Sequence, residues 1–183
     1  MAQIENISKR RTDQPDAATP ASIEALLTDL GSHDGLARQQ ARIKLVKIGE
    51  PAVEALIRAL KIPNEYVHWE AAKALSQIGS PRSTQALVEA LKDDQFSIRW
   101  LAAEGLITIG QNSLKPLLQA LMQDPKSKRL REGAHHVLYD LVHQGLLSPV
   151  ERSQVMPILT ALNDVEPAVA VPRAVHQALQ KLR

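Results

Sequence analysis

The sequence predicts an all-α protein, in which antiparallel helix pairs stack side by side into an α-solenoid (α-α superhelix). Three observations support this fold class. A two-helix unit recurs with a period of about 30 residues, each helix has apolar residues at helical spacing, and glycine or proline separates the two helices. Two helices of about a dozen residues cannot close a core alone, so each unit must stack on its neighbours.

Short polar residues mark the expected start of each first helix. They are evenly spaced, one repeat apart, at Asp34, Asn64, Asp94 and Asp124. The side chain of such a residue accepts a hydrogen bond from a free amide at the helix start. We therefore expect these residues to be N-caps.

An apolar face follows each start. Near the start of each first helix, a branched apolar residue or Ala is followed directly by a basic residue. An Ala lies one helical turn further along, and a Leu lies one turn beyond that Ala. The members of this face are Ala41 and Leu45, Ala71 and Leu75, Ala102 and Leu106, and Ala134 and Leu138. Ala at these positions lets a neighbouring helix approach closely. Gly49, Gly79 and Gly110 then predict the end of the first helix, at a left-handed position.

The second helices carry two leucine columns in the same register. One column is Leu26, Leu56, Leu87 and Leu117, and the other is Leu30, Leu60, Leu91 and Leu121. Thr19 and Pro20 predict the start of a capping helix that has the phase of a second helix. The predicted pairs are 34–48 with 51–61, 64–78 with 82–92, and 95–109 with 113–123.

The C-terminal third departs from the register. Leu117 maps to Ile158 at a longer offset than that between earlier units, so an insertion is expected around 143–153. A last helix from about residue 170 to 182 repeats the apolar spacing of the preceding first helix, although Pro172 stands where that helix has Arg131. We expect a degenerate copy that caps the stack.

This pattern resembles the HEAT repeats of the phycobilisome (PBS) lyase HEAT-like repeat family over residues 21–182. The resemblance is carried by the starting Asp, the apolar residue followed by Arg, the small pair, the Leu and the Gly of each first helix, and by the Ala-Leu of the second. It implies a HEAT/armadillo-like solenoid whose second helices line the concave face. It implies no single activity, because such repeats occur in lyase subunits, scaffolds and adaptors alike.

Composition sets the domain expectations. The 183 residues are 44% hydrophobic, 23% charged and 3% aromatic, with a formal charge of +2 and no cysteine. Residues 1–18 are charged without an apolar run long enough for a signal peptide or membrane span, and a flexible N-terminal tail is expected there. Residues 19–183 are expected to form a single repeat domain of about four helix pairs plus terminal caps, in a cytoplasmic protein.

No catalytic or cofactor-binding residue is predicted, and no enzymatic activity is expected. The resembling family includes di-iron hydroxylases that depend on repeated His-Glu dyads, whereas here Trp69 separates His68 from Glu70. One metal candidate stays open along a single helical face: Glu132, His136, Asp140 and His143. The alternative is that this stripe is the solvated face of an amphipathic helix.

The residues of the second helices that do not face the core are predicted to form columns along the concave face. These are Glu54, Gln85 and Lys115; Arg58, Glu89 and Gln119; and Lys61, Lys92 and Met122, with the first two columns predicted to bind a partner. Four of the nine residues are basic and two are acidic, so nucleic acid, which needs a coherent basic stripe, is disfavoured. The densest basic run is interpreted as a solvated rim: Lys126, Lys128, Arg129 and Arg131.

Two residue types recur on the first helices. Trp69 and Trp100 occupy equivalent positions in adjacent repeats, face away from the core, and predict either a partner-anchoring apolar patch or a cover for the seam between repeats. Gln39 and Glu132 would be the polar ends of such a patch.

The repeated arginines Arg38, Arg99 and Arg131 predict an ion-pair or hydrogen-bond ladder between repeats, or alternatively a charged patch for a ligand.

These observations favour a non-catalytic scaffold or adaptor that binds another protein through its extended surface. The first alternative, implied by the resemblance, is a bilin lyase subunit or a phycobiliprotein-handling factor. The second is a nucleic-acid binder built from HEAT-like repeats.

Overall fold

The computed structural model describes residues 19–182, and within this range the chain is helical with no β-strand. The ten α-helices are α1 Pro20–Asp29, α2 Gly35–Ile48, α3 Val53–Ala59, α4 Glu65–Ile78, α5 Thr84–Ala90, α6 Phe96–Ile109, α7 Leu114–Gln123, α8 Lys128–His143, α9 Pro149–Leu162 and α10 Pro167–Lys181. Short 3-10 turns precede α3, α5 and α7. The predicted flexible tail, residues 1–18, lies outside the described residues.

Side-chain caps start the N-terminal helices as expected. The side chain of Thr19 accepts a hydrogen bond from the amide of Ser22, which starts α1 directly before Pro20. Asp34 caps α2, and Asn64 caps α4. The predicted starts of α1, α2 and α4 are therefore confirmed, and each cap satisfies amides that would otherwise lack a partner.

The two later caps were predicted wrongly. The N-cap residue of α6 is Gln95, whose side chain makes no capping bond, while Asp94 forms an ion pair with Arg129 of the next unit. Asp124 ends α7, and Ser127 caps α8. Helix α7 has 10 residues, whereas α3 and α5 have 7 each, and this extension of α7 moves the start of α8 beyond the repeat register.

The seams between repeats depend on small residues. Ala71 and Ala102 are fully buried. A side chain at Gly105 would place its Cβ 2.8 Å from Cδ1 of Leu87 and 3.1 Å from the Cα of Ser76. The predicted close approach of neighbouring helices is therefore confirmed, and it leaves no room for even one added carbon. Of the three turn glycines, Gly79 ends α4 at φ 63° and ψ 27°, in the left-handed helical conformation that was predicted. Gly49 and Gly110 also end their helices with positive φ, but their ψ angles of −130° and −138° lie outside that conformation.

Helices α1 to α8 stack in two rows. The first-helix row is continuous, because α4 packs between α2 and α6 and α6 packs between α4 and α8. In the other row, α1 contacts α3 and α5 contacts α7. The leucine columns face the core between the rows, and Leu56, Leu87 and Leu117 have no solvent exposure.

The end of the chain joins the stack differently from the prediction. The last helix, α10, packs on α9 and on α7, whereas among residues 19–182 no contact of similar extent joins α10 to α8 or α9 to α7. It therefore extends the row of second helices, and α9 is the added helix between α8 and α10. The expectation that α10 copies a first helix is wrong, because its apolar stripe of Val171, Val175 and Ala178 suits either row.

One buried ion pair crosses the seam between the first two units. Arg42 Nε donates to Oε2 of Glu70 at 2.8 Å, and Nη1 of Arg42 donates to Gln77 at 2.7 Å. The side chains of Arg42 and Glu70 are only 9% and 7% exposed. A buried charge needs such a partner, so this pair ties α2 to α4 specifically.

Candidate binding surfaces

The predicted columns on the second helices are exposed to solvent. Six of the nine residues are the predicted partner-binding residues Glu54, Gln85, Lys115, Arg58, Glu89 and Gln119, and all six are exposed. Of the third column, Lys61 is exposed while Lys92 and Met122 are half-buried. The six predicted partner-binding residues are therefore accessible to a partner.

Charges on this face are largely paired with each other. Arg58 lies 2.9 Å from Glu24, and Lys92 lies 2.7 Å from Glu89. Glu54 is held by Arg82 at 2.9 Å. Pairing of this kind removes the uncompensated positive charge that binding of a phosphate backbone requires.

The basic run at the start of α8 also makes contacts within the chain. Arg129 pairs with Asp94, and Lys128 lies 3.7 Å from Glu132. Arg131 donates to the carbonyl oxygen of Pro125 at 2.6 Å. This run is consequently a poor candidate for a nucleic-acid site.

The aromatic residues have an unusual distribution. The chain has five Phe, Trp and Tyr side chains, and none of them is in the buried core. All five lie on first helices: Tyr66 and Trp69 on α4, Phe96 and Trp100 on α6, and Tyr139 on α8. Large aromatic rings normally dominate core energetics, so their placement outside the core marks this row as a candidate contact surface.

The ring of Trp100 is the centre of a local cluster, defined here as the Trp100 cluster of Phe96, Trp100 and His136. The Trp100 ring centroid is 4.8 Å from that of His136 and 6.3 Å from that of Phe96. Phe96 is 68% exposed and Trp100 is 48% exposed. His136 also lies 3.5 Å from Oε1 of Glu104, so the cluster spans the seam between α6 and α8.

The prediction of a Trp69 and Trp100 pair holds only in part. Trp100 faces outward as expected, but Trp69 is half-buried, with the ammonium of Lys73 4.4 Å from its ring centroid. Gln39 and Glu132, the predicted polar ends, are both exposed. Trp100 is paired with Phe96, which the repeat pattern does not single out. The signal that could have identified Phe96 is an aromatic residue at a helical position that does not face the core.

The four residues of the metal candidate are engaged separately. Glu132 faces Lys128, Asp140 faces Gln144, the His136 ring lies tilted against Trp100, and His143 stacks on Tyr139 with ring centroids 3.8 Å apart. Within residues 19–182, no group of three or more His, Asp or Glu side chains is placed to hold a metal ion.

The repeated arginines act within their own repeats. Each donates from Nη1 to carbonyl oxygens of the loop that precedes its helix: Arg38 to Ser32 and His33, Arg99 to Asp93 and Asp94, and Arg131 to Pro125. The predicted ladder between repeats is therefore wrong as a general feature. In the described part of the chain, only Arg38 of the three adds a contact to an acid of the next unit, 3.9 Å from Glu70.

A cleft of about 580 Å³ lies between the turn before α7, the start of α9 and the end of α10. Its lining includes Lys115 and Lys181, and also Glu151, whose carboxylate accepts hydrogen bonds from Ser148 and Gln111. Burial alone raises the pKa of Glu151, but these hydrogen bonds outweigh burial and hold the pKa below its ordinary value. Nothing in the sequence indicated this cleft, because the cleft depends on the packing of α10 against α7.

The described helices do not include a membrane-spanning candidate: in residues 19–182, no helix combines the length and the apolarity needed to cross a bilayer.

Comparison with known proteins identifies the repeat. Residues 23–106 match the family model described as HEAT repeats. A chain from the complex of CpcE and CpcF of phycocyanin lyase from Nostoc sp. PCC7120 matches with a TM-score of 0.56 and 24% identity, over 87% of this chain and 98% of that one. No match was found among the curated proteins.

Two designed proteins match with lower TM-scores. An engineered protein has a TM-score of 0.46 and 18% identity, over 87% of this chain and 78% of its own. A designed armadillo repeat protein in complex with the peptide (KR)4 has a TM-score of 0.40 and 20% identity, over 87% of this chain and 91% of its own. Residues 23–106 therefore carry HEAT repeats, and the described part of this chain has the fold of an α-solenoid of stacked helix pairs, shared with the phycocyanin lyase chain.

Proposed function

We propose that this protein is a non-catalytic scaffold or adaptor that binds another protein through the outer surface of its first helices, with the Trp100 cluster as the anchor. The observation that carries this proposal is the exclusion of every aromatic residue from the core. The core is closed with Leu, Ala, Val and Ile instead. Aromatic rings on the outside therefore serve something other than the interior packing of the chain.

The physical argument concerns the cost of exposure. Phe96 and Trp100 leave large apolar areas in water, and burying such area stabilises a complex by about 25 cal/mol per Å². Tryptophan is enriched among the few interface residues that dominate binding energy, particularly where less critical contacts surround it. Adjacent Glu104 and Glu132 supply a polar rim on the same two helices.

The experiment is capture of binding partners from the native host by the wild-type chain and by Phe96→Ala/Trp100→Ala, with quantitative mass spectrometry. We expect the double variant to lose at least ten-fold in recovery of the specific partner. Because both side chains are exposed, the variant should keep its melting temperature within a few degrees.

The matched control removes exposed apolar side chains elsewhere. Ile62 and Val169 are 44% and 69% exposed, and neither lies on a first helix. Ile62→Ala/Val169→Ala should retain the partner. Equal recovery with both double variants would contradict the proposal and would move the search to the second-helix columns, including Glu54, Arg58, Gln85, Glu89, Lys115 and Gln119.

A role as a bilin lyase subunit is the second candidate function. It is favoured by one observation, the likeness in fold to a chain of phycocyanin lyase along 98% of that chain. The test mixes this protein with a bilin and apo-phycocyanin and follows covalent attachment by absorbance of the denatured product. Attachment that requires this chain would favour the lyase role over the scaffold role.

A further inference from the structure

The cleft at the C-terminal end differs from the rest of the second-helix side. It is lined by Gln111, Asn112, Leu114, Lys115, Pro116, Ser148, Val150, Glu151, Lys181 and Leu182. These residues come from three separate segments: the turn into α7, the first turn of α9 and the end of α10. Packing of α10 on α7 and α9 closes this end of the stack and forms the cleft.

The first relevant property of the cleft is its charge. Two lysines against one carboxylate give its lining a formal charge of +1. Elsewhere on this side Arg58 and Arg82 each sit 2.9 Å from an acid, whereas within residues 19–182 neither Lys115 nor Lys181 forms an ion pair with an acidic side chain. Both lysines are exposed, so their ammonium groups are available to an anion.

The single acid of the lining is already occupied. Oε2 of Glu151 accepts from the amide and the hydroxyl of Ser148 at 2.9 and 2.7 Å, and Oε1 accepts from Nε2 of Gln111 at 2.7 Å. With three donors directed at its carboxylate, Glu151 belongs to the wall of the cleft. The lysines are thus left to a ligand from outside the described chain.

The second relevant property is an apolar wall beside the charge. Leu114, Pro116, Val150 and Leu182 line the cleft, and Val150 is 61% exposed. The exposed amide of Asn112 adds a hydrogen-bond donor and acceptor. Six of the ten lining residues are polar and four are apolar, so the lining offers both kinds of contact. The cleft volume of about 580 Å³ lies within the range of small-ligand sites.

We propose that this cleft binds an amphipathic carboxylate, in which the carboxylate lies between Lys115 and Lys181 and the apolar body covers Pro116 and Val150. Two sources share this chemistry: the last residue of a polypeptide with an apolar side chain, and a free fatty acid of medium chain length. The proposal is independent of the Trp100 cluster, because the elements that line the cleft carry none of the aromatic residues.

Nuclear magnetic resonance of the full-length, 15N-labelled chain tests the proposal at the site itself. The side-chain amides of Gln111 and Asn112 and the backbone amides of Lys115 and Val150 are the reporters. Octanoate is one probe, and a short peptide ending in leucine with a free carboxylate is the other. We expect saturable shifts of these reporters with at least one probe, and at least ten-fold weaker binding of octanol or of the C-terminally amidated peptide.

The variants remove positive charge from the cleft or add negative charge to it. Lys115→Gln/Lys181→Gln should weaken binding about ten-fold, and Val150→Asp should weaken it further by placing a like charge in the cleft. All three side chains are exposed, so the variants are expected to fold. Lys44→Gln/Lys61→Gln, which removes two exposed lysines from other surfaces, is the matched control and should bind as the wild type does.

Each outcome decides the proposal. Binding of the peptide alone identifies a polypeptide C-terminus as the source, and binding of octanoate alone identifies a free acid. Absence of saturable reporter shifts with both probes, or equal affinity in Lys115→Gln/Lys181→Gln and the control, overturns it.

Discussion

The regular stack from α2 to α7 and the C-terminal third from α8 to α10 use similar apolar spacing but end in different packing. In α6, Ala103 and Ile107 are buried in the seam against the next first helix. The equivalent residues of α8 are His135 and Tyr139, and Tyr139 is 47% exposed. These positions of α8 therefore do not form a seam of small residues; α9 packs on α8, and α10 joins the other row by packing on α7.

The contrast shows that the leucine columns specify a helix pair, while the residues at the seam decide whether another pair follows. A seam of Ala and Gly permits close approach of the next helix. A seam of His and Tyr instead leaves donors and rings that need water or a polar partner, such as Asn163, whose Nδ2 lies 3.1 Å from Nε2 of His135. Stability should therefore be most sensitive to change at the regular seams.

The largest effect is expected at the seam between α2 and α4. Glu70→Ala should lower the free energy of unfolding by about 3 kcal/mol, because the Arg42 side chain, only 9% exposed, loses its carboxylate partner. Urea unfolding followed by circular dichroism measures this loss. The control is Glu54→Ala, which breaks an exposed pair with Arg82 and should cost less than about 1 kcal/mol. Similar losses in the two variants would mean that the seam is not closed by the ion pair.

Overpacking of a regular seam should have the next largest effect. Ala102→Leu, and likewise Ala71→Leu, should each destabilise the fold by about 1 to 3 kcal/mol, because both positions are fully buried where first helices meet. Ala21→Leu, at an exposed position of α1, is the control and should change stability by less than about 0.5 kcal/mol. Unchanged melting of both buried variants would contradict the assigned helix phase.

In the C-terminal third, smaller effects are expected at the start of α9. Ser148→Ala removes both the side-chain cap of α9 and a donor to Glu151, and should cost about 1 kcal/mol. Thermal unfolding measures this cost. Ser153→Ala, on the exposed face of the same helix, should leave the melting temperature nearly unchanged. A loss in Ser153→Ala that equals the loss in Ser148→Ala would argue against the capping role.

The smallest effect depends on pH. Because the folded-state pKa of Glu151 is lowered from its ordinary value of 4.5, the unfolded chain binds this proton more readily than the folded chain does. The stabilisation from Glu151 is fully present above pH 4.5 and is lost as the pH falls through the lower folded-state pKa. The stability difference between the wild type and Glu151→Gln should therefore shrink as the pH is lowered from neutral to well below 4.5. A difference independent of pH would contradict the assignment.

The sequence was sufficient for the helix pairs because each pair is specified by local signals. Asp34 and Asn64 cap the helices that directly follow them, and Gly79 ends α4 where a left-handed residue was expected. These features depend on neighbours in the chain. The register fails at Asp124, because α7 continues to Gln123 and the cap of α8 moves to Ser127.

The candidate sites were less predictable because they depend on neighbours in space. The helix phase correctly predicted that Trp100 points outward. It did not predict that Trp69 is half-buried, because that burial depends on contacts with other residues in space. The pairing of Trp100 with His136 joins residues on different helices and follows from the offset between stacked helices. Likewise, the cleft at Lys115 exists only because α10 packs on α7. The apolar spacing of α10 does not predict which helix it packs on.

The Arg42–Glu70 pair has a consequence for how the gene can change. Positions equivalent to Glu70 hold Leu101 in α6 and Gly133 in α8, so only the second unit offers a carboxylate to the first. Deletion of that unit by recombination between similar repeats would place Arg42 against leucine, as an unpaired charge in a dry seam. The order of these units is thus fixed by a chemical match between neighbours, and the solenoid cannot be shortened there as freely as its repetition suggests.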